Sequence, residues 1–194
     1  MRQPSLALIF GGNGYPPYIA IRDAALKTIL LMRHAEAQFE QGDQTDFDRT
    51  LTPDGEQMAS QTGAILKEHG VKICRILASS APRTLRTAQL VAAQACPTTP
   101  LVPLTELYAS STERLLNTLF RHCCPDEDSI LLVAHNPGVS GLMCRWANRD
   151  LSVQPATLLA FTADTDDWGA FTRPPCRIDL FIRNAQLQPP LDDA

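Results

Sequence analysis

The run Ile29-Leu30-Leu31-Met32 is apolar throughout and stops abruptly at Arg33, His34, Ala35 and Glu36. A stretch this short and this uniformly apolar reads as a strand buried on both faces, with its tip carrying a cation, an imidazole and a carboxylate. The design recurs at Ile130-Leu131-Leu132-Val133-Ala134, which is followed by His135 and then Asn136-Pro137-Gly138. Two buried strands that each end in a histidine point to one shared site.

From Lys27 onward, short apolar runs alternate with segments of helical periodicity. This is the pattern of a mainly parallel sheet flanked by helices, an α/β fold in three layers. Thr52-Pro53 supplies an N-cap and a first helical residue, Met58, Thr62, Ile65, Leu66 and His69 recur at helical spacing, and Gly70 is a natural stop. Val71 to Ala78 reads as the next strand. A second amphipathic helix through Leu85, Ala88, Val91 and Ala92 ends before Pro97, and a short strand is expected around Leu101 to Pro103. Ser110 and Glu113 have capping-box spacing ahead of the apolar face Leu115, Leu116, Leu119 and Phe120. Val139, Leu142, Met143 and Trp146 mark a fourth helix, and 157–162 and 177–182 read as strands around an Asp-rich turn. The spacing leaves the pairing of those last strands open.

The chain has 194 residues, within the range of one domain, and its 44% hydrophobic and 20% charged content is that of a globular protein. Residues 1–26, broken by Gly11-Gly12-Asn13-Gly14 and Pro16-Pro17, are expected to form a flexible extension, and 27–194 a single domain. The glycines lack the Lys-Ser or Lys-Thr and the strand-loop-helix setting of a phosphate loop. A net charge of −4 argues against a nucleic-acid partner. No apolar stretch approaches the roughly 18 residues of a membrane span, and Leu6 to Phe10 is too short for a secretory segment, so the expected location is the cytoplasm. The expected assembly is a monomer. Six cysteines without regular spacing read as free thiols. His122-Cys123-Cys124 lacks the paired spacing of a metal site and reads as a helix end before Pro125.

Residues just past the carboxyl ends of parallel strands converge on one crevice. Arg33 and His34 follow the first strand, Arg83 follows the strand ending near Ser79-Ser80, and His135 follows the strand ending at Ala134. Singly, each has an ordinary alternative: a surface cation, a solvated helix start, a hydrogen-bonded core histidine. Together, two arginines and two imidazoles make an anion pocket. A guanidinium fork matches phosphoryl oxygens, and a neutral imidazole is a good nucleophile. No carboxylate cluster of the Mg²⁺-binding kind accompanies them, so no metal and no cofactor are expected.

These segments resemble the histidine phosphatase superfamily, and within it the small SixA-type phosphohistidine phosphatases. The likeness rests on Arg33-His34-Ala35, where the family has Arg-His-Gly, and on Leu51-Thr52-Pro53-Asp54-Gly55. It rests also on Ser79-Ser80-Ala81-Pro82-Arg83-Thr84-Leu85-Arg86-Thr87-Ala88 and on Leu132 to Gly138. Leu107 to Ser111 and Trp168 favour the SixA branch. Ala35 departs from the family glycine, and Ser80 stands where proline is common.

The resemblance implies a phosphoglycerate mutase-like three-layer α/β/α sandwich. It implies that His34 attacks phosphorus and becomes a phosphohistidine, while Arg33, Arg83 and His135 hold the phosphoryl oxygens. Glu106, after the third strand, is the expected general acid, with Glu36 more suited to ordering the loop. Asn136 is expected to cap the following helix, and Arg86 to be structural. The expected substrate is phosphohistidine on a signalling protein of the histidine phosphotransfer type. A small phosphate ester, or phosphate binding without turnover, are the rival readings.

Overall fold

A computed structural model describes residues 26–40, 42–172, 176–189 and 191 of the chain. Residues 1–25 of the expected extension, with its glycine stretch, lie outside the described residues. The elements run β1 (Leu26–Arg33), α1 (Pro53–Glu68), β2 (Arg75–Ser79), α2 (Pro82–Ala95), β3 (Leu101–Leu104), α3 (Thr112–His122), β4 (Ser129–Ala134), α4 (Gly138–Ala147), β5 (Leu158–Asp164), β6 (Arg177–Arg183) and β7 (Gln186–Leu187). Short 3-10 turns at Asp46–Asp48, Thr105–Leu107 and Trp168–Thr172 punctuate them.

The strands form one sheet in the order β3-β2-β4-β1-β5-β6-β7. The pairings β2 with β3, β2 with β4 and β1 with β4 are parallel, as expected. Those of β1 with β5, β5 with β6 and β6 with β7 are antiparallel, so the sheet is mixed, parallel across β3-β2-β4-β1 and antiparallel beyond β1. Connectivity explains the difference. A parallel pair needs a crossover, usually helical, whereas β5 and β6 are joined through only a 3-10 turn. β6 and β7 are joined by Asn184 and Ala185, both at φ 53°, which is the backbone of a tight primed hairpin turn.

Alternation along the strands divides the core in two. Ile29, Leu31, Leu77 and Leu132 pack with Leu115, Leu119, Leu142, Met143 and Trp146, on the face covered by α3 and α4. Leu30, Met32, Ile76, Ala78 and Val133 pack with Ala59, Leu66, Ala88 and Val91, on the face covered by α1 and α2. The three layers are therefore helix, sheet, helix. α1 begins as expected: the Thr52 hydroxyl accepts from Gly55 N at 2.9 Å, with Pro53 at the first helical position. Gly55 lets this turn approach the chain leaving β1, because a Cβ there would run into the Glu36 carbonyl oxygen. α3 corrects the expected capping box by one residue, since its cap is Ser111, whose hydroxyl accepts from Arg114 N at 3.3 Å, and Ser110 is buried before it.

Candidate active site

The parallel register of β1 against β4 pairs Arg33 with Ala134. The next residue of each strand, His34 and His135, therefore emerges at the same end of the sheet, and their rings meet edge to face with centroids 5.1 Å apart. The backbone of His34 is pinned on both sides: His34 N donates to Ala134 O at 3.0 Å, and its carbonyl accepts from Ala156 N at 3.1 Å. β2 lies on the other side of β4, so Ser79 at its end reaches His135, with 2.9 Å between Ser79 Oγ and Nε2. Arg83 enters from the first turn of α2 and is 3% exposed. Arg33, His34, Arg83 and His135 line one cavity of about 360 Å³, together with Glu36, Asp46, Arg49 and Asn136 among others. The strand-end argument thus brings together the four residues it named.

The two imidazoles are both held neutral. Burial lowers the His34 pKa to about 4, assisted by Arg83, Arg33 and Arg49 and partly opposed by its bond to the Ala35 carbonyl. Burial also lowers His135 to about 3, with His34 and Arg83 pushing in the same direction. His34 Nδ1 lies 2.7 Å from Ala35 O. A carbonyl only accepts, so Nδ1 carries the hydrogen and Nε2 is left with its lone pair. The methyl of Ala35, where the family has glycine, is accommodated: Ala35 is outside the left-handed region and packs into the α1/α2 side of the core, and its N–H donates to Thr87 Oγ1 at 3.1 Å.

The arginines are positioned by main-chain acceptors and by one carboxylate. Arg33 Nη1 donates to Val153 O at 2.9 Å, and burial lowers the Arg33 pKa. Arg83 donates to the Asp46 carbonyl through Nη1 and to the Asp46 carboxylate at 2.8 Å through Nη2. Its Nη2 also lies 3.4 Å from His135 Nδ1. The Nε groups of Arg33 and Arg83 are buried donors with no partner among the described residues.

Asp46 and Arg49, which the periodicity of the sequence did not bring forward, belong to the cavity. The Asp46 carboxylate also accepts from Arg49 Nη1 at 2.9 Å and from the Tyr108 hydroxyl at 2.8 Å. Its own partial burial acts to raise its pKa, but these partners and Arg83 win and hold it at about 2. The available sequence signal was slight, two opposite charges three residues apart in a loop just before the Leu51-Thr52-Pro53 helix start.

Glu106 is not among the cavity-lining residues. It accepts from Arg121 Nη2 at 2.7 Å and lies 3.5 Å from His122 Nε2, both on α3. The hydrogen bond from Arg121 lowers its pKa, and the structure does not bring Glu106 into the cavity with the four strand-end residues. Asn136 is likewise not a helix cap. Its Nδ2 donates to Val153 O at 3.1 Å, beside the bond from Arg33, and it faces the cavity. Arg86 pairs with Glu56 at 2.7 Å between α2 and α1, a structural role. Among the described residues no three potential metal ligands gather at one point. No described helix is long and apolar enough to cross a membrane.

Known proteins resemble this chain in fold and, over part of its length, in sequence. The fold matches a structure of SixA from Agrobacterium tumefaciens with a TM-score of 0.70 at 22% identity, over 81% of this chain and 97% of that one. It matches the protein histidine phosphatase SixA complexed with tungstate with a TM-score of 0.68 at 19% identity, over 81% and 97%. In sequence, 67 residues are 39% identical to the mitochondrial serine/threonine-protein phosphatase PGAM5 of Xenopus tropicalis, a match spanning 34% of this chain and 23% of that protein. The chain thus aligns with under a quarter of that relative's length. The model of the histidine phosphatase superfamily (branch 1) matches residues 29–118, which carry Arg33, His34 and Arg83. That model thus matches the stretch of the chain that carries three of the four strand-end residues, and the fold shared with the SixA structures extends across the sheet that brings His135 to the same cavity.

Proposed function

We propose that the protein is a phosphatase acting through a phosphohistidine on His34, with phosphohistidine on a signalling protein as its substrate and no metal requirement. The observation that carries this reading is His34 itself, a buried neutral imidazole whose Nδ1 hydrogen is committed to the Ala35 carbonyl. Its Nε2 lone pair attacks phosphorus in line, and the bond from phosphorus to the leaving atom breaks. Water then attacks the same phosphorus, and His34 departs with the electron pair of the P–N bond. Arg33 and Arg83 neutralise the equatorial oxygens, supplying the positive charge that a metal supplies elsewhere. His135 adds a hydrogen bond from the side of β4.

Two features support phosphohistidine over an alkyl ester. Asp46 is held ionised by Arg49, Tyr108 and Arg83, so it has no proton to give at neutral pH. Glu106 stands outside the cavity. With those two set aside, Glu36 is the carboxylate left lining the cavity, and imidazole, which departs more readily than an alkoxide, asks least of an acid there. A protein histidine phosphatase of this fold has been seen complexed with tungstate, a tetrahedral oxyanion, which agrees with a phosphoryl substrate.

The test is phosphate release from a phosphorylated histidine phosphotransfer protein and from p-nitrophenyl phosphate, in parallel and with a chelator present. Expected is faster release from the protein, unaffected by the chelator and lost in His34→Ala. Preference for the ester moves the reading to a small-molecule phosphomonoesterase. Phosphate binding without release from either makes the site a binding module.

A further inference from the structure

The cavity has two chemically distinct parts. Arg33, His34, Arg83 and His135 form its charged and polar floor, whereas Ala37, Phe39, Ala109 and Pro155 line it with apolar groups. Phe39 is 87% exposed, against 40% for Leu187, the other large apolar side chain left open among the described residues. A single exposed phenylalanine is unexceptional on a protein surface. This one borders the cavity and stands on a tethered stem. Ala37 bridges to Leu51, Gln38 N donates to Thr50 O at 2.9 Å, and Gln38 O accepts from Arg49 Nε at 2.6 Å.

On the phosphatase reading above, we infer that Phe39 determines specificity by receiving a flat ring carried by the leaving group, so that the preferred substrates are those phosphorylated on or directly beside an aromatic ring. In-line displacement sets the geometry, because the leaving atom departs opposite to His34 and hence away from the floor. Phe39, which lines the cavity and is 87% exposed, offers its ring on the open side, where a departing group must pass. The Arg49 guanidinium is already engaged by Asp46 and by Gln38 O. An acidic leaving group meets the Glu36 and Asp46 carboxylates. A planar ring instead covers Phe39, stacking offset or edge to face. Imidazole and phenol fit this description; glycerol has no ring to stack, and sugar acids meet the carboxylates.

The experiment uses the full chain and two inert probes, phenylphosphonate and methylphosphonate, whose affinities are measured by calorimetry. In the wild type phenylphosphonate should bind about fivefold to tenfold more tightly, as expected of one aromatic contact. That ratio should fall below about twofold in Phe39→Ala and persist in Phe39→Trp. Thermal melting of both variants verifies that they are folded. The inference is overturned if the wild type shows no preference for the phenyl probe, or if the preference survives Phe39→Ala. In parallel, the ratio of kcat/KM on phosphoimidazole to that on acetyl phosphate should drop about fivefold or more in Phe39→Ala. If phenylphosphonate is preferred but neither phosphate is hydrolysed, the phosphatase reading fails while the ring-binding rim stands.

Discussion

The two histidines at the sheet end come from adjacent parallel strands at the same register, yet they are held by opposite kinds of partner. His34 meets a main-chain carbonyl, which can only accept. His135 Nε2 meets two hydroxyls, Ser79 Oγ at 2.9 Å and Thr84 Oγ1 at 3.2 Å, which can donate or accept. The first ring is thereby locked into one tautomer with a free Nε2 lone pair, the requirement for a nucleophile. The second can carry its hydrogen on either nitrogen. With the Arg83 guanidinium against Nδ1 the hydrogen sits on Nε2, and a phosphoryl oxygen arriving at Nδ1 is met by the other tautomer, with the hydroxyls reversed. Equal position in the fold has been given unequal chemistry by what each ring touches.

The sharpest way to break this comparison is to remove each ring in turn. His34→Ala should abolish turnover, a loss on the order of 10⁴-fold or more in kcat, because no other group forms the covalent intermediate. Single-turnover kinetics with labelled phosphohistidine, followed by acid-quench trapping of phosphoenzyme, checks this, and appreciable phosphoenzyme in His34→Ala overturns the assignment. His135→Ala should still form phosphoenzyme, roughly 10²- to 10³-fold more slowly, as expected when one preorganised donor to the developing charge is lost.

Protonation probes both rings together. Between about pH 4 and 6.5 the unfolded histidines bind protons that the folded ones, held at about 4 and about 3, refuse. The unfolded state therefore binds more protons in that window, and the free energy of unfolding rises with pH across it and levels off above it. Urea denaturation at pH 5 should give a stability on the order of 3 kcal/mol lower than at pH 7.5. The double variant His34→Asn, His135→Asn should flatten that dependence.

A smaller change separates the adjustable ring from the locked one. Removing both hydroxyls in Ser79→Ala, Thr84→Val should cost about tenfold in kcat/KM by stranding His135 Nε2, without loss of phosphoenzyme formation on His34. Equal damage to both steps in rapid-quench measurements would show that the two rings are not independent. Glu106→Gln should change kcat on phosphohistidine by less than about twofold, since its carboxylate is engaged by Arg121 outside the cavity.

Several features were legible because they are local or follow from a rule about strand ends. Apolar runs a few residues long, closed by Arg33-His34 in one case and His135-Asn136 in the other, marked β1 and β4. The Thr52-Pro53 start of α1 needed only neighbouring atoms to be recognised. The convergence of Arg33, His34, Arg83 and His135 follows once the strands are parallel neighbours, because side chains one residue past each strand then share one edge.

What tertiary structure decided is the partner of each polar group. Glu106 is drawn to Arg121 and His122, which α3 brings past it, and Asn136 is drawn to Val153 O, 17 residues away. Asp46 becomes the shared anchor of Arg49, Arg83 and Tyr108 only after the loop before α1 folds over the start of α2. The antiparallel half of the sheet depends on where β5 finds an open edge, beside β1. Apolar periodicity records which face of an element is buried. It carries no information about which of many distant donors or acceptors a given side chain will meet, because that choice is made by packing between elements far apart in the chain.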